Sequence, residues 1–456
     1  LPPEIWREIA AVASADSVLT LRQISRDLRS AVDSLDQANL NRINLHPDST
    51  VDLYQSDAGV RPVTRDPATQ GITARDENIS PVLQEFFAHS NDAHVRRHLA
   101  GNPSLSSEAV QQTLALDPNT DVRKHLADNR SLSSDACQQT LAQDPNKWVR
   151  WRLAENPSLT SEAAQQTLAQ DPNADVRETL ARKPSLSSEA AQQTLAQDPN
   201  IRVRVELAYN RSLSSEAAQQ TLAQDPNEWV RSYLAGNPRL TSEAAQQTLA
   251  QDQNIRVRIA LACNPSLSSD AAQQTLAQDP NLRVRSDLAN NPSLTSTVQQ
   301  TLAQDPNAWV RGYLARNPSL TSDARQERLA QDKNSEVRAA LARNRSLTSE
   351  ARQERLARDQ NTEVRRDLAR NPSLTSTVQQ TLAQDRNEWV REDLAGNPNL
   401  SSEAAQQTLA QDRNDDVREA LARNPSLNSE VTQGRQAHNL NRSIQMILRR
   451  IVPADR

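Results

Sequence analysis

The chain repeats itself, and that limits what it can become. The dipeptide Val-Arg recurs with valine at 95, 122, 149, 176, 203, 230, 257, 284, 310, 337, 364, 390 and 417. The interval is 27 residues, except at 284 to 310 and 364 to 390, where it is 26. A unit this short cannot bury a core alone. It must stack against copies of itself, each touching its neighbours. Composition agrees: only 36% of the 456 residues are apolar and 3% aromatic, against roughly 45–50% apolar in an ordinary globular domain. An elongated array suits so thin an apolar content better than one compact core.

One unit reads from Leu159 to Ser185. Thr160 is expected to cap a first helix, with Glu162 at the positive end of its dipole. Leu159 meets Ala164 across the cap as a hydrophobic staple. Ala164 and Leu168 form a buried stripe, while Gln165, Gln166 and Gln170 face water. Asp171-Pro172-Asn173 reads as the start of a second helix, with aspartate as cap and proline in the first turn. That helix buries Val176, Leu180 and Ala181 and stops before Pro184, because the residue preceding a proline avoids helical backbone. There the other repeats carry Asn, which suits a left-handed helix end. Lys183 is the exception. Both 26-residue intervals carry Ser-Thr-Val-Gln-Gln, at 296–300 and 376–380, with one residue missing at the helix start. The expected fold is therefore all-α, an α-solenoid of about thirteen two-helix repeats.

Helical-wheel arithmetic at 100° per residue separates the faces of the second helix. Val176, Arg177, Leu180, Ala181 and position 183 hardly change between repeats. Positions 174, 175, 178, 179 and 182 change and share an arc of roughly 160–300° from Val176. Stacking joins these arcs into a variable strip. Four tryptophans occupy one position of it, Trp148, Trp229, Trp309 and Trp389, at separations of 81, 80 and 80. Tyr233 and Tyr313 follow two of them by one helical turn. These six aromatics are the candidate target-binding residues, and packing between repeats is the rival role. The invariant arginine of Val-Arg is expected to pair with the aspartates recurring from 117 to 412 rather than to grip an anionic ligand.

Catalytic constellations do not emerge. There is no glycine-rich phosphate loop, no nucleophile–histidine arrangement and no carboxylate pair outside the repeat. No cofactor is expected. His94, His98 and His125 have spacings from which a metal site could be built, but read as surface histidines, without the glutamate of an H-E-x-x-H motif. Cys137 and Cys263 lie too many repeats apart to bridge, and two cysteines fit a reducing compartment. Net charge is −5, from 52 basic and 57 acidic side chains, which argues against a nucleic-acid or membrane surface. No apolar run approaches a membrane span. The chain begins at Leu1 without methionine and is expected to be trimmed, any targeting segment lying upstream.

The recurring Val-Arg-x-x-Leu-Ala-x-Asn-Pro-Ser-Leu, followed by Leu-Ala-x-Asp, resembles the variant leucine-rich repeat of bacteria, an all-helical solenoid, over roughly residues 90–428. The N-terminus does not repeat. Its Leu1-Pro2, Glu4-Ile5, Ile9, Asp16 and Leu21-Arg22-Gln23-Ile24-Ser25-Arg26 resemble an F-box, the helical module that docks on the Skp-type adaptor of cullin–RING ubiquitin ligases. That resemblance implies adaptor binding by Leu1, Pro2, Ile5, Ile9, Leu21, Ile24, Ser25 and Arg26. The implied organisation is an F-box-like module at 1–45, a linker at 46–80, the solenoid at 81–428 and a capping helix at 429–456. Ile79, Val82, Leu83, Phe86 and Phe87 are expected to cap the first repeat. Leu440, Ile444, Ile447, Leu448 and Ile451 are expected to cover the last. Together the resemblances imply the substrate-recognition subunit of an SCF-type ligase, not an enzyme. Its partners would be the Skp-type adaptor and a host target protein, and it would be a bacterial effector secreted into a host cell. A scaffolding solenoid without ligase partnership is the alternative.

Overall fold

The computed structural model describes residues 54–56, 59–61, 71, 74, 75, 79 and 81–428. The described part is an α-solenoid of paired helices. It falls into two compact units, Leu1–Leu222 and Ala223–Arg456. Within each unit, first helices pack on first helices and second on second. Glu162–Ala169 packs on Glu189–Ala196, and Lys147–Glu155 on Ala174–Arg182, in the N-terminal unit. Glu243–Ala250 packs on Asp270–Ala277, and Ala308–Arg316 on Ser335–Ala342, in the C-terminal one. Both helices of each repeat are α-helical. The linker region contains a short antiparallel hairpin, Tyr54–Ser56 with Gly59–Arg61. The two residues between Ser56 and Gly59 match the commonest hairpin length. The expected capping helix beyond Asn428 lies outside the described residues.

The apolar stripe is the expected one. Leu159, Ala164, Leu168, Val176, Leu180 and Ala181 are all buried, and each buried leucine contributes about 2 kcal/mol by removing its surface from water. The helix Ala174–Arg182 ends before Pro184, and Lys183 has extended backbone with ψ 125°.

Several polar residues behave otherwise than expected. The cap of Glu162–Ala169 is Ser161, which accepts from the Ala164 N–H, not Thr160. Adjacent hydroxyl residues leave the frame ambiguous by one. The second helix is capped by Asn173, which accepts from the Asp175 N–H at 2.9 Å. Asp171 stands outside the helix and accepts from the Asn173 N–H at 2.8 Å. In the short repeats Thr295 and Thr375 are the caps. The missing residue is therefore taken from the loop before the cap, and Val298 and Val378 stay buried.

Gln165 does not face water; it is fully buried. Its Nε2 donates to the carbonyls of Leu159 and Ser185, the first and last residues of its own unit, both at 3.3 Å. Its Oε1 accepts from the Ser187 and Ser188 N–H groups at 3.0 Å. Asn156 likewise has extended backbone, not a left-handed one. Its Nδ2 donates to the carbonyls of Ala127 and Asn129 at 2.7 and 2.8 Å, and its Oδ1 accepts from the Ser158 N–H. Buried amides thus tie loop backbone to loop backbone from one repeat to the next. This is how a chain so poor in large apolar residues builds an interior: the loop peptide groups are satisfied internally rather than by water.

The expected cap of the first repeat is itself half a repeat. Gln84, 27 residues before Gln111, donates to the carbonyls of Ile79 and Ser104. Ile79 and Phe87 are buried, and Phe86 meets Phe87 edge-on at 5.5 Å. The side chains of Val82 and Leu83 are outside the described set.

Candidate functional site

The arginine ladder is closed on itself. Arg150 donates Nε and Nη2 to the two carboxylate oxygens of Asp171 at 2.5 and 3.1 Å, and Nη1 to the Asp144 carbonyl at 2.6 Å. Arg123 with Asp144, Arg258 with Asp279 and Arg338 with Asp359 have the same geometry. Both partners are largely buried, so the bidentate pairs are shielded from solvent. Hydrogen bonding to Asp171 raises the pKa of Arg150 above its ordinary value. Burial would push the Asp332 carboxyl up, but the Arg311 hydrogen bond and its charge prevail and hold it below the usual range. The ladder is structural and offers no free guanidinium row to a ligand.

The four tryptophans, unlike the ladder arginines, are exposed. Each occupies the second position of a second helix, where its backbone N–H is taken by the capping asparagine. Trp148 donates to Asn146 and Trp229 to Asn227, both at 2.9 Å, Trp309 to Asn307 at 2.8 Å and Trp389 to Asn387 at 3.0 Å. The cap fixes where the ring leaves the helix. The rings remain 53%, 50%, 63% and 54% exposed, in chain order, and Tyr233 and Tyr313 are 42% and 39% exposed. Large aromatics half in water contribute little packing and keep most of their apolar area available for contact.

Cations accompany three of these rings. Lys147 lies over Trp148 at 4.9 Å, Arg256 of the following repeat over Trp229 at 5.6 Å, and Arg366 of the preceding repeat over Trp389 at 5.6 Å. Trp151 meets Trp148 edge-on at 6.2 Å and carries Arg152 over its own face. Trp151, Arg256 and Arg366 do not stand out from motif reading. They fall in the variable arc, and reading each arc position down the repeats would have found them.

Other chemistry-bearing residues do not assemble. Both nitrogens of the His98 ring lie 2.9 Å from the Arg75 guanidinium, and burial, followed by the Arg75 charge, lowers the His98 pKa. Among the described residues no three His, Cys, Asp or Glu side chains converge as metal ligands. Cys137 and Cys263 are free thiols, and burial pushes that of Cys137 up to about 12. An open cleft of about 740 Å³ lies where the first short repeat begins, with Gln274, Gln278, Thr297, Gln300 and Thr301 among its lining residues. No described helix is long and apolar enough to cross a membrane. The adaptor-binding candidates, Leu1 through Arg26, lie outside the described residues.

No protein-family model matches the chain, and no curated protein matches it. Among solved structures, it is similar to a chain from the complex in which Kap95p binds RanGDP, at 13% identity and a TM-score of 0.28. That match covers 100% of this chain, which spans 62% of the length of the other.

Proposed function

We propose that this chain is a non-catalytic recognition subunit whose solenoid binds a target protein through the exposed aromatic row of its second helices. The observation that carries this is the contrast between neighbouring positions. The recurring arginine–aspartate pairs and the buried Gln165-type and Asn156-type amides hold repeats together, while the tryptophans at the varying edge stay half in solvent. Trp and Tyr suit such a surface, giving much contact area with few torsions to freeze. On the resemblance of residues 1–45 to an F-box, this recognition serves ubiquitination. The N-terminal module docks on the Skp-type adaptor of a cullin–RING ligase, in a bacterial effector acting inside a host cell.

The test is the double variant Trp229→Ala/Trp309→Ala. Half-exposed rings leave no large cavity when removed, so melting should stay within about 1 °C of the parent, as for surface substitutions. Capture of target protein should fall at least tenfold, as for loss of interface anchors. A variant that melts several degrees lower yet binds its target normally would assign these rings to packing.

A further inference from the structure

Reading the tryptophan position down the C-terminal unit gives a charge order as well as an aromatic one. Between Trp229 and Trp309 the same position holds Arg256 and Arg283; between Trp309 and Trp389 it holds Glu336 and Glu363. All these side chains are exposed. They project at the same level of each helix, because each donates its backbone N–H to a capping asparagine. Arg256 and Arg283 do so to Asn254 and Asn281 at 2.9 and 2.8 Å, and Glu336 and Glu363 to Asn334 and Asn361 at 2.7 and 2.8 Å. Successive second helices pack against one another through this stretch, so the positions form one continuous row.

We infer that this row binds an extended polypeptide segment with apolar anchors for the tryptophans, an acidic stretch between the first two anchors and a basic stretch between the last two. The inference rests on the recognition reading above and adds the partner's chemistry. Charge complementarity selects the occupant. Among the described residues no ion pair engages Arg256 or Glu336. Arg283 and Glu363 are held only by short-range partners in their own helices, Asp287 at 2.6 Å and Arg366 at 3.1 Å. At the far ends of the neighbouring helices, Arg343 is paired with Asp367 and Arg370 with Asp393. Helices stacked roughly 9–10 Å apart put successive tryptophans on the order of 30 Å apart, about nine residues of extended chain. Such a segment can run in either direction along the row. What matters is that its two charge blocks are segregated and spaced by the anchors.

Two synthetic peptides of about twenty residues test this. Both carry leucine at the ends and centre and the same number of Glu and Lys. One keeps the acidic and basic residues in separate halves; the other interleaves them. Fluorescence anisotropy with the full chain at low salt should show the segregated peptide binding at least about fivefold tighter, with the preference fading as salt screens exposed charges. Arg256→Glu/Arg283→Glu should erase that preference and favour a uniformly basic peptide, with circular dichroism unchanged. Equal affinity for both peptides, indifference to the charge variant, or no binding by any peptide would overturn the inference. If target capture still depends on Trp229 and Trp309 in that case, the recognition reading stands without this charge order. If that dependence is missing too, the recognition reading fails on its own test.

Discussion

Lys183 occupies the position where other repeats place asparagine, and it is 4% exposed. Its Nζ donates to the Asn156 carbonyl, but an ammonium has no acceptor to offer the Ser185 N–H, which an asparagine Oδ1 would take. Burial pushes its pKa down to about 8 from the ordinary 10.5. The sign follows from proton binding. Between about pH 8 and 10.5 the unfolded chain holds more protons than the folded one, so raising the pH through that window stabilises the fold. Lys183→Asn should therefore stabilise the protein by about 1–3 kcal/mol at pH 7, by removing a buried ammonium and restoring the amide bracket. Urea unfolding of both proteins at pH 7 and pH 10 checks it. The gap should narrow at the higher pH, and a gap independent of pH would mean that the amine's burial costs nothing.

At the level of helices and loops, the repeat is joined by two kinds of contact. Val, Leu and Ala stripes carry the hydrophobic part, and Gln165-type and Asn156-type amides carry the polar part. Gln165→Ala would leave the Ser187 and Ser188 N–H groups and the Leu159 and Ser185 carbonyls without their partner in a partly buried loop. The expected cost is about 2–4 kcal/mol, in line with unsatisfied buried groups. Gln170→Ala, at an exposed position five residues on, should stay within about 0.5 kcal/mol. Equal costs in chemical denaturation would contradict the bracket. The stripes were legible in the amino-acid order because an apolar residue at helical spacing has one plausible place. Gln165 was not, since glutamine on a short helix also suits solvent and nothing local distinguishes the two. The usable signal lay in recurrence: Gln165-type positions keep glutamine from one repeat to the next, whereas exposed positions of the second helix drift. The same ambiguity moved the cap from Ser161 to Thr160 and gave Asp171 the role that Asn173 plays. The tryptophans were legible as a row, but their exposure was not, because a wheel angle does not say how closely the next helix approaches.

At the scale of the whole molecule, a repeat array separates its functions along the chain. Each repeat is held by its neighbours, so a lesion in the F-box-like residues 1–45 should leave the repeats of 81–428 folded. That separation makes the proposed division of labour testable. Leu1, Pro2, Ile5 and Ile24 are among the apolar residues that the resemblance places against the Skp-type adaptor, and truncating anchors at an interface centre removes a large share of its binding energy. Leu1→Ala/Pro2→Ala should lose co-purification with the purified adaptor by at least tenfold. Circular dichroism and Trp229-dependent target capture should stay at parental levels. Trp229→Ala/Trp309→Ala should do the converse, losing the target and retaining the adaptor. Full adaptor binding by the Leu1/Pro2 variant would remove the ligase from the proposal and leave the scaffolding solenoid, whose aromatic row could still be tested through the target alone.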